Sequence, residues 1–394
     1  MADHIPFITG DEVCSLVNEV YSDSAFVRVP LDRAKRLLPR LSATKKVWLD
    51  PCVDGMHDLQ TRRSTKEDKS NPWFKFMTDF PNFEKIGTPP YRASAAEVDA
   101  FVEAVMKRCA AYKPAWITVP QIPLVTDSDR NKINRALAAA TGTWKSSQRF
   151  SGSLILPLIF TNQAQMNLKT ARNQKVQQAQ KCYQEARADG FWVVDASLND
   201  ESGSATLRNK RFPGVIALHE ELNASIPSRI RIAGPYWGLN LVLWARNLVD
   251  HPAIGIGSGY QFLLAGVPTK KSRAKLALPS LRRRATVRPK LQKWLENTIG
   301  KLAPSHPAHV EFSEIKRHYT VLSAQDQARE RVAVFYKQWF DIIAAAPKAG
   351  RSMALFQDLA GAYALGKSLP PLGADEGTAR RPEAVAEPLM LSCL

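Results

Sequence analysis

The sequence predicts an α/β protein: a (β/α)8 barrel of the TIM type with an α-helical C-terminal extension. Three observations predict it. Short apolar, β-branched runs recur eight times, at 25–29, 47–53, 116–121, 154–160, 191–196, 214–218, 230–234 and 253–257. Several are continuously apolar, as parallel strands covered on both faces are. Helical patterns follow most of them, and eight such units in about 300 residues match the size of that barrel. A doubly wound open parallel sheet is the alternative, because one sequence does not give strand order.

Taken in order, the helical stretches fall at 31–41, 95–111, 127–140, 163–188, 238–248 and 273–302. Asp127 or Ser128 caps the third, and Gly190 stops the fourth. The run 214–218 counts as the sixth strand. The long, charged and aromatic stretch at about 56–91 reads as an insertion over the barrel mouth. These units assign 1–303 to the barrel. Residues 304–368, with a further helix at 325–346, form the helical extension. From 369 to 394 Pro, Gly, Ala and charge dominate, which predicts a disordered tail.

The chain of 394 residues carries a formal net charge of +17 with 45% hydrophobic residues and nine tryptophans, so it holds a large core and favours polyanionic partners. The five cysteines are scattered without a CxxC pair, which predicts reduced thiols and a cytoplasmic protein. Acidic residues near the N-terminus predict no secretory signal. No apolar run reaches the roughly 18 residues of a membrane span, so no membrane is expected.

In such a barrel, reactive groups sit where strands end. Asp50 and Asp195 each follow an apolar run directly, so each begins at the edge of a dry core. Two carboxylates so placed separate their protonation states into acid and base. His219 and Glu220, at the end of the expected sixth strand, are candidates to assist. No cofactor motif is present, although a Mg²⁺ held by Asp50, Asp195 and Glu220 is compatible with these groups. Other histidines lack ligand spacing.

Two glycine turns, Gly234-Pro-Tyr-Trp-Gly238 and Gly255-Ile-Gly257-Ser-Gly259, end the seventh and eighth strands, where barrels bind phosphate. Tyr236, Trp237 and Tyr260 beside them are candidates for stacking a base. Between His251 and Leu295 there is no acidic residue but ten basic ones. Lys270, Lys271, Arg273, Lys275, Arg282, Arg283, Arg284 and Arg288 therefore read as a face that tracks a nucleic-acid backbone. Further basic sets lie at Lys169, Arg172, Lys175 and Lys181, and at Arg130, Lys132 and Arg135.

The layout resembles barrel enzymes that act on nucleic-acid bases, such as tRNA-guanine transglycosylases, which use paired aspartates and glycine loops. Their cysteine/histidine zinc site has no counterpart here, so the resemblance is one of architecture. The expected function is a nucleic-acid- or nucleotide-directed enzyme of hydrolase or transferase type. It would use acid/base chemistry on a glycosidic bond, or less favourably a phosphoester bond. The alternative is a non-catalytic nucleic-acid-binding component, with protein partners, of a defence or mobile-element assembly.

Overall fold

The structure, a computed structural model, describes residues 4–56, 71–124, 128–161, 166–198, 205–256, 262, 264–265, 274–373 and 380–394, with only the backbone of 205–210. Eight parallel strands close into a barrel in chain order. They are β1 (Ile5–Phe7), β2 (Phe26–Pro30), β3 (Lys46–Asp50), β4 (Trp116–Thr118), β5 (Ser153–Phe160), β6 (Gly190–Asp195), β7 (Ile230–Ala233) and β8 (His251–Gly255). Closure is by β1 on β8, with Ile5 opposite Ala253 and Phe7 opposite Gly255. The barrel fold is as the sequence predicts, and the open sheet is excluded.

Seven expected strands fall where strands form. The eighth does not. The run 214–218 lies inside helix α8 (Ala205–Ser225), where Val215, Leu218 and Leu222 are buried, as is Ile226 one residue beyond its end. That spacing of three and four is helical, and it outweighs the short apolar run within it. The strand missed is β1, whose three residues are too few to show a period.

The helices around the barrel are α1 (Cys14–Glu19), α2 (Ala34–Leu37), α3 (Pro72–Met77), α4 (Phe83–Gly87), α5 (Ala95–Ala110), α6 (Ser128–Gln148), α7 (Lys169–Ala186), α8 and α9 (Leu239–Ala245). A reciprocal capping box of Ser94 and Glu97 starts α5. In the stretch at 56–91, α3 and α4 bury Trp73, Met77 and Phe83.

Residues 273–302 are not one helix. Described from Ala274 on, they form an antiparallel hairpin, β9 (Lys275–Leu278) and β10 (Arg283–Thr286), then α10 (Pro289–Ile299). Pro279 and Pro289 break the helical pattern. With α10 and α11 (Pro307–Arg317) the hairpin encloses a second core around Leu276, Leu278, Leu295 and Phe312. After α12 (Tyr319–Leu322), helices α13 (Gln325–Ala344) and α14 (Arg351–Ser368) join the barrel's own core through Tyr336, Trp339, Phe340 and Leu359.

The C-terminal segment corrects the expectation of a disordered tail. Residues 374–379 lie outside the described residues, but 380–394 are packed: α15 (Ala386–Leu391) follows a turn, and Val385, Ala386 and Leu389 are buried in the main core. A Pro- and Ala-rich composition hid an apolar face formed by only a few residues. Among the described residues, no helix is long and apolar enough to cross a membrane.

Candidate functional site

Side chains alternate between the lumen and the helix layer along each barrel strand. Trp48 of β3 and Trp192 of β6 meet in the lumen, ring centroids 5.4 Å apart, and Phe7 lies 5.4 Å from each. Arg28 and Asp50 share the parity of lumen-facing Phe26 and Trp48, so they point inward above these rings. The Arg28 guanidinium carbon sits 5.0 Å from the Phe7 centroid and 5.9 Å from that of Trp192. The barrel centre is filled with aromatic rings.

Asp50 is 2% exposed. Its Oδ2 accepts from Nε of Arg28 at 2.9 Å and also from Nη2, while Oδ1 accepts from the Cys52 backbone N–H at 2.9 Å. Burial alone lowers the Arg28 pKa; Asp50, then Cys52 and Asp54, outweigh it and hold the guanidinium above its ordinary value. The same burial, with Asp50 adding to it, pushes the Cys52 thiol up, so it is no thiolate nucleophile.

Asp195 has the opposite parity to Trp192. It faces the helix layer, where Arg211 of α8 holds it through Nε, and through Nη2 at 3.0 Å. Ser197 donates to Oδ1 from its N–H at 2.9 Å and its hydroxyl at 2.5 Å. The Asp195 N–H donates to the Tyr236 hydroxyl oxygen at 2.6 Å. Both aspartates therefore lie at the carboxyl-terminal end of the barrel, but on opposite faces of its wall. They are two separate ion pairs rather than one acid/base couple.

His219 and Glu220 are not at a strand end. His219 is buried within α8, with neither ring nitrogen hydrogen-bonded. Burial first, and Arg231 second, lower its pKa to about 3, leaving it neutral at pH 7. Glu220 is exposed and pairs with Arg246 at 3.0 Å. Asp50, Asp195 and Glu220 thus occupy lumen, helix layer and surface, so they cannot ligate one Mg²⁺. Among the described residues no cluster of three His, Cys, Asp or Glu side chains is placed to hold a metal.

The glycines serve packing where they are described. Gly234 (φ 90°) accepts from Trp192 Nε1 at 2.6 Å, and its N–H donates to Val193 O at 3.0 Å. Gly238 (φ 77°) donates to the Tyr336 hydroxyl oxygen at 3.3 Å, and a Cβ there would lie 2.4 Å from Leu389. Neither N–H is open to a phosphate. Gly255 ends β8 opposite Phe7. Tyr236 and Trp237 are each 3% exposed, Trp237 packing at a tilt against Phe335, Tyr336 and Trp339, so neither is a base platform. Gly257, Gly259, Tyr260, Lys270, Lys271 and Arg273 lie outside the described residues.

The arginine run reads differently once folded. Hairpin alternation sends Arg283 and Arg284 to opposite faces, both buried. Arg283 donates to the Arg381 carbonyl at 3.0 Å; Arg284 lies 4.6 Å from the Trp237 ring, its pKa lowered by burial to about 9. Arg282 forms a two-point pair with Asp358, Nε to Oδ2 at 2.7 Å, and packs over Phe335 and Trp339. These three cannot track a nucleic-acid backbone. Lys275 and Arg288 remain partly exposed, and the Arg288 N–H donates to Tyr319 Oη at 3.1 Å. The further basic sets are largely committed too: Arg130 donates to Tyr91, Arg135 to Glu185 and Arg172 to Glu221, while Lys175 is buried.

At the mouth Asp50, Asp54, Thr118, Gln121, Pro157 and Trp192, among others, line a narrow crevice with no room for even a water molecule. Asp54 accepts from the Ala265 N–H at 2.8 Å, and Phe262 packs on Trp192, so chain beyond β8 closes over it. Arg28 and Arg211 are what sequence reasoning missed, whereas Asp54 and Gln121 fall at strand ends, where the sequence places mouth residues. Arg28 had a signal: a charge in lumen register within an apolar strand. Arg211 had none while its segment read as a strand approach.

No protein-family model matches this chain, and no curated protein matches it in sequence.

Proposed function

We propose that the protein is a nucleic-acid-binding barrel without turnover of its own, a component that recognises a polyanion. The observation that carries this reading is the state of the two mouth carboxylates. Each is buried against a guanidinium and further engaged by a backbone N–H. A general acid or base must touch the substrate, and both oxygens of each carboxylate already accept hydrogen bonds from within the protein. The net charge of +17 supports the choice of partner.

That Asp50 and Asp54 line the same crevice favours a second reading, an enzyme acting on a glycosidic bond, with Asp54 taking the place of Asp195 and the crevice opening to admit substrate. Replacing both members of the lumen pair, Arg28→Met with Asp50→Leu, separates the two. A binding protein keeps its affinity for a labelled single-stranded oligonucleotide and the decline of that affinity with salt. An enzyme loses turnover of a nucleoside or oligonucleotide substrate while its melting temperature holds. Absence of any oligonucleotide binding at low salt would overturn the proposed reading.

A further inference from the structure

Because all eight strands run the same way, the connections entering them converge on one end of the barrel, opposite the mouth. Backbone hydrogen bonds stitch these connections into a rim. Lys46 N–H donates to Ala25 O at 2.9 Å, Ala115 N–H to Val47 O at 2.9 Å and Ser153 N–H to Ala115 O at 2.9 Å. Asp189 N–H donates to Leu154 O at 2.9 Å and Arg229 N–H to Asp189 O at 3.3 Å. The segments entering β2 to β8 (21–25, 41–46, 107–115, 145–152, 185–189, 226–229 and 246–250) hold ten Lys and Arg against four Asp and Glu. The described connections leaving the strands at the mouth hold one basic residue, Arg33, against Asp11, Glu12, Asp32 and Asp54.

Some rim cations are spent inside the fold. Lys45 donates to three backbone carbonyls, Lys145 pairs with Asp189, and Arg246 with Glu220. Lys46, Lys107, Arg108, Lys113, Arg149 and Arg229 are exposed, and among the described residues none is in an ion pair. They follow the rim from β3 round to β7. Helix C-termini attract cations, and that field accounts for one or two at each helix end. It does not account for three around the end of α5, nor for the backbone at Lys113 and Arg149. Both are left-handed (φ 52° and 50°), a conformation that favours glycine, yet both positions carry a cation.

At the centre of this arc the aromatic filling of the lumen reaches solvent. Phe26 stacks on Trp116 with ring centroids 3.8 Å apart and 20° between planes, and His251 packs edge-on to both. Phe26 and His251 are half-buried, and Lys46 Nζ stands 5.6 Å from the Phe26 ring. An aromatic surface within a cationic arc is the combination that binds single strands: phosphates follow the cations and a base packs on the ring.

We propose that this amino-terminal base of the barrel is the binding surface, and that its partner is single-stranded nucleic acid. This rests on the nucleic-acid reading above and gives it a location. The test uses the full chain and a fluorescein-labelled oligothymidylate of about 15 nucleotides, a span suited to one such platform. The base variant is Lys107→Ala, Lys113→Ala, Arg149→Ala and Arg229→Ala together. A control removes four exposed cations of the helical extension: Lys293→Ala, Lys301→Ala, Lys348→Ala and Lys367→Ala. Both change the net charge equally, and circular dichroism melts establish that each is folded. If the base quadruple melts early, the pairs Lys107/Lys113 and Arg149/Arg229 are tested separately.

The expected result is a loss of at least about 30-fold for the base variant at 50 mM salt, less than about 3-fold for the control, and a salt slope shallower by about 0.7 per phosphate contact removed. Phe26→Leu is expected to weaken binding by about 5-fold or more. Equal losses in base and control variants would overturn the location and leave the nucleic-acid reading standing. Equal competition by a duplex of the same length would overturn the single-strand assignment. Failure of the unaltered protein to bind would overturn the underlying reading itself.

Discussion

The two ends of the barrel handle charge in opposite ways. At the carboxyl-terminal mouth, Asp50 and Asp195 are each consumed by a buried arginine, and Asp54 is capped by the Ala265 N–H. At the amino-terminal base, cations stand in solvent around a half-buried aromatic pair. The usual expectation for this architecture is chemistry at the mouth and stability at the base. Among the described residues, the two aspartates that end mouth strands are both engaged in ion pairs. Charge density along a chain says little until the partners are known: Arg282, Arg283 and Arg284 are consecutive and engaged inside the fold, whereas Lys107, Lys113, Arg149 and Arg229 are dispersed in sequence and gathered by the fold.

The largest effect that bears on this contrast is at Asp50. Asp50→Asn leaves the Arg28 guanidinium buried without its counter-charge and is expected to cost about 3–5 kcal/mol of stability, read by denaturant unfolding. Arg28→Met with Asp50→Leu is expected to recover most of it. An Asp50→Asn protein of unchanged stability that had lost a turnover would make the mouth catalytic after all.

Next in size is Asp358→Asn. It removes a carboxylate that holds Arg282 at two points and accepts from Trp339 Nε1 at 2.9 Å. About 2–4 kcal/mol of stability should go, with oligonucleotide affinity unchanged. A loss of affinity at unchanged melting temperature would return the arginine run to the binding surface.

The smallest is a pH effect. His219 titrates at about 3 in the folded protein against 6.5 ordinarily. Between those values the unfolded chain binds a proton that the folded chain does not, so stability rises with pH through this window and is lost on acidification. The loss from His219 alone amounts to about 2 kcal/mol between pH 6.5 and 5. His219→Leu should flatten the stability curve there; an unchanged slope would place His219 in a less buried setting.

Much of the fold was legible because a barrel strand covered on both faces leaves a continuous apolar run, as at Leu154–Phe160 and Phe191–Val194. β1 was not legible, since three residues carry no period. The segment 214–218 misled because its helical spacing emerges only over the longer span from Val215 to Ile226. The aspartates were correctly placed at strand ends, but which face of the wall each occupies depends on parity: Asp50 shares that of Trp48, while Asp195 opposes Trp192. Register, not composition, decides whether two carboxylates meet. The base was overlooked because its cations lie one or two to a connection, and only the common strand direction brings them together.

Photo-crosslinking tests the contrast between the two ends most directly. A single-stranded oligonucleotide carrying a photoreactive base would be crosslinked to the full chain and the labelled peptides mapped. Labels in 21–26, 41–46, 107–116 and 145–152 are the result expected of a binding surface at the base. Labels concentrated in 50–56 and 118–124, at the mouth, would contradict it.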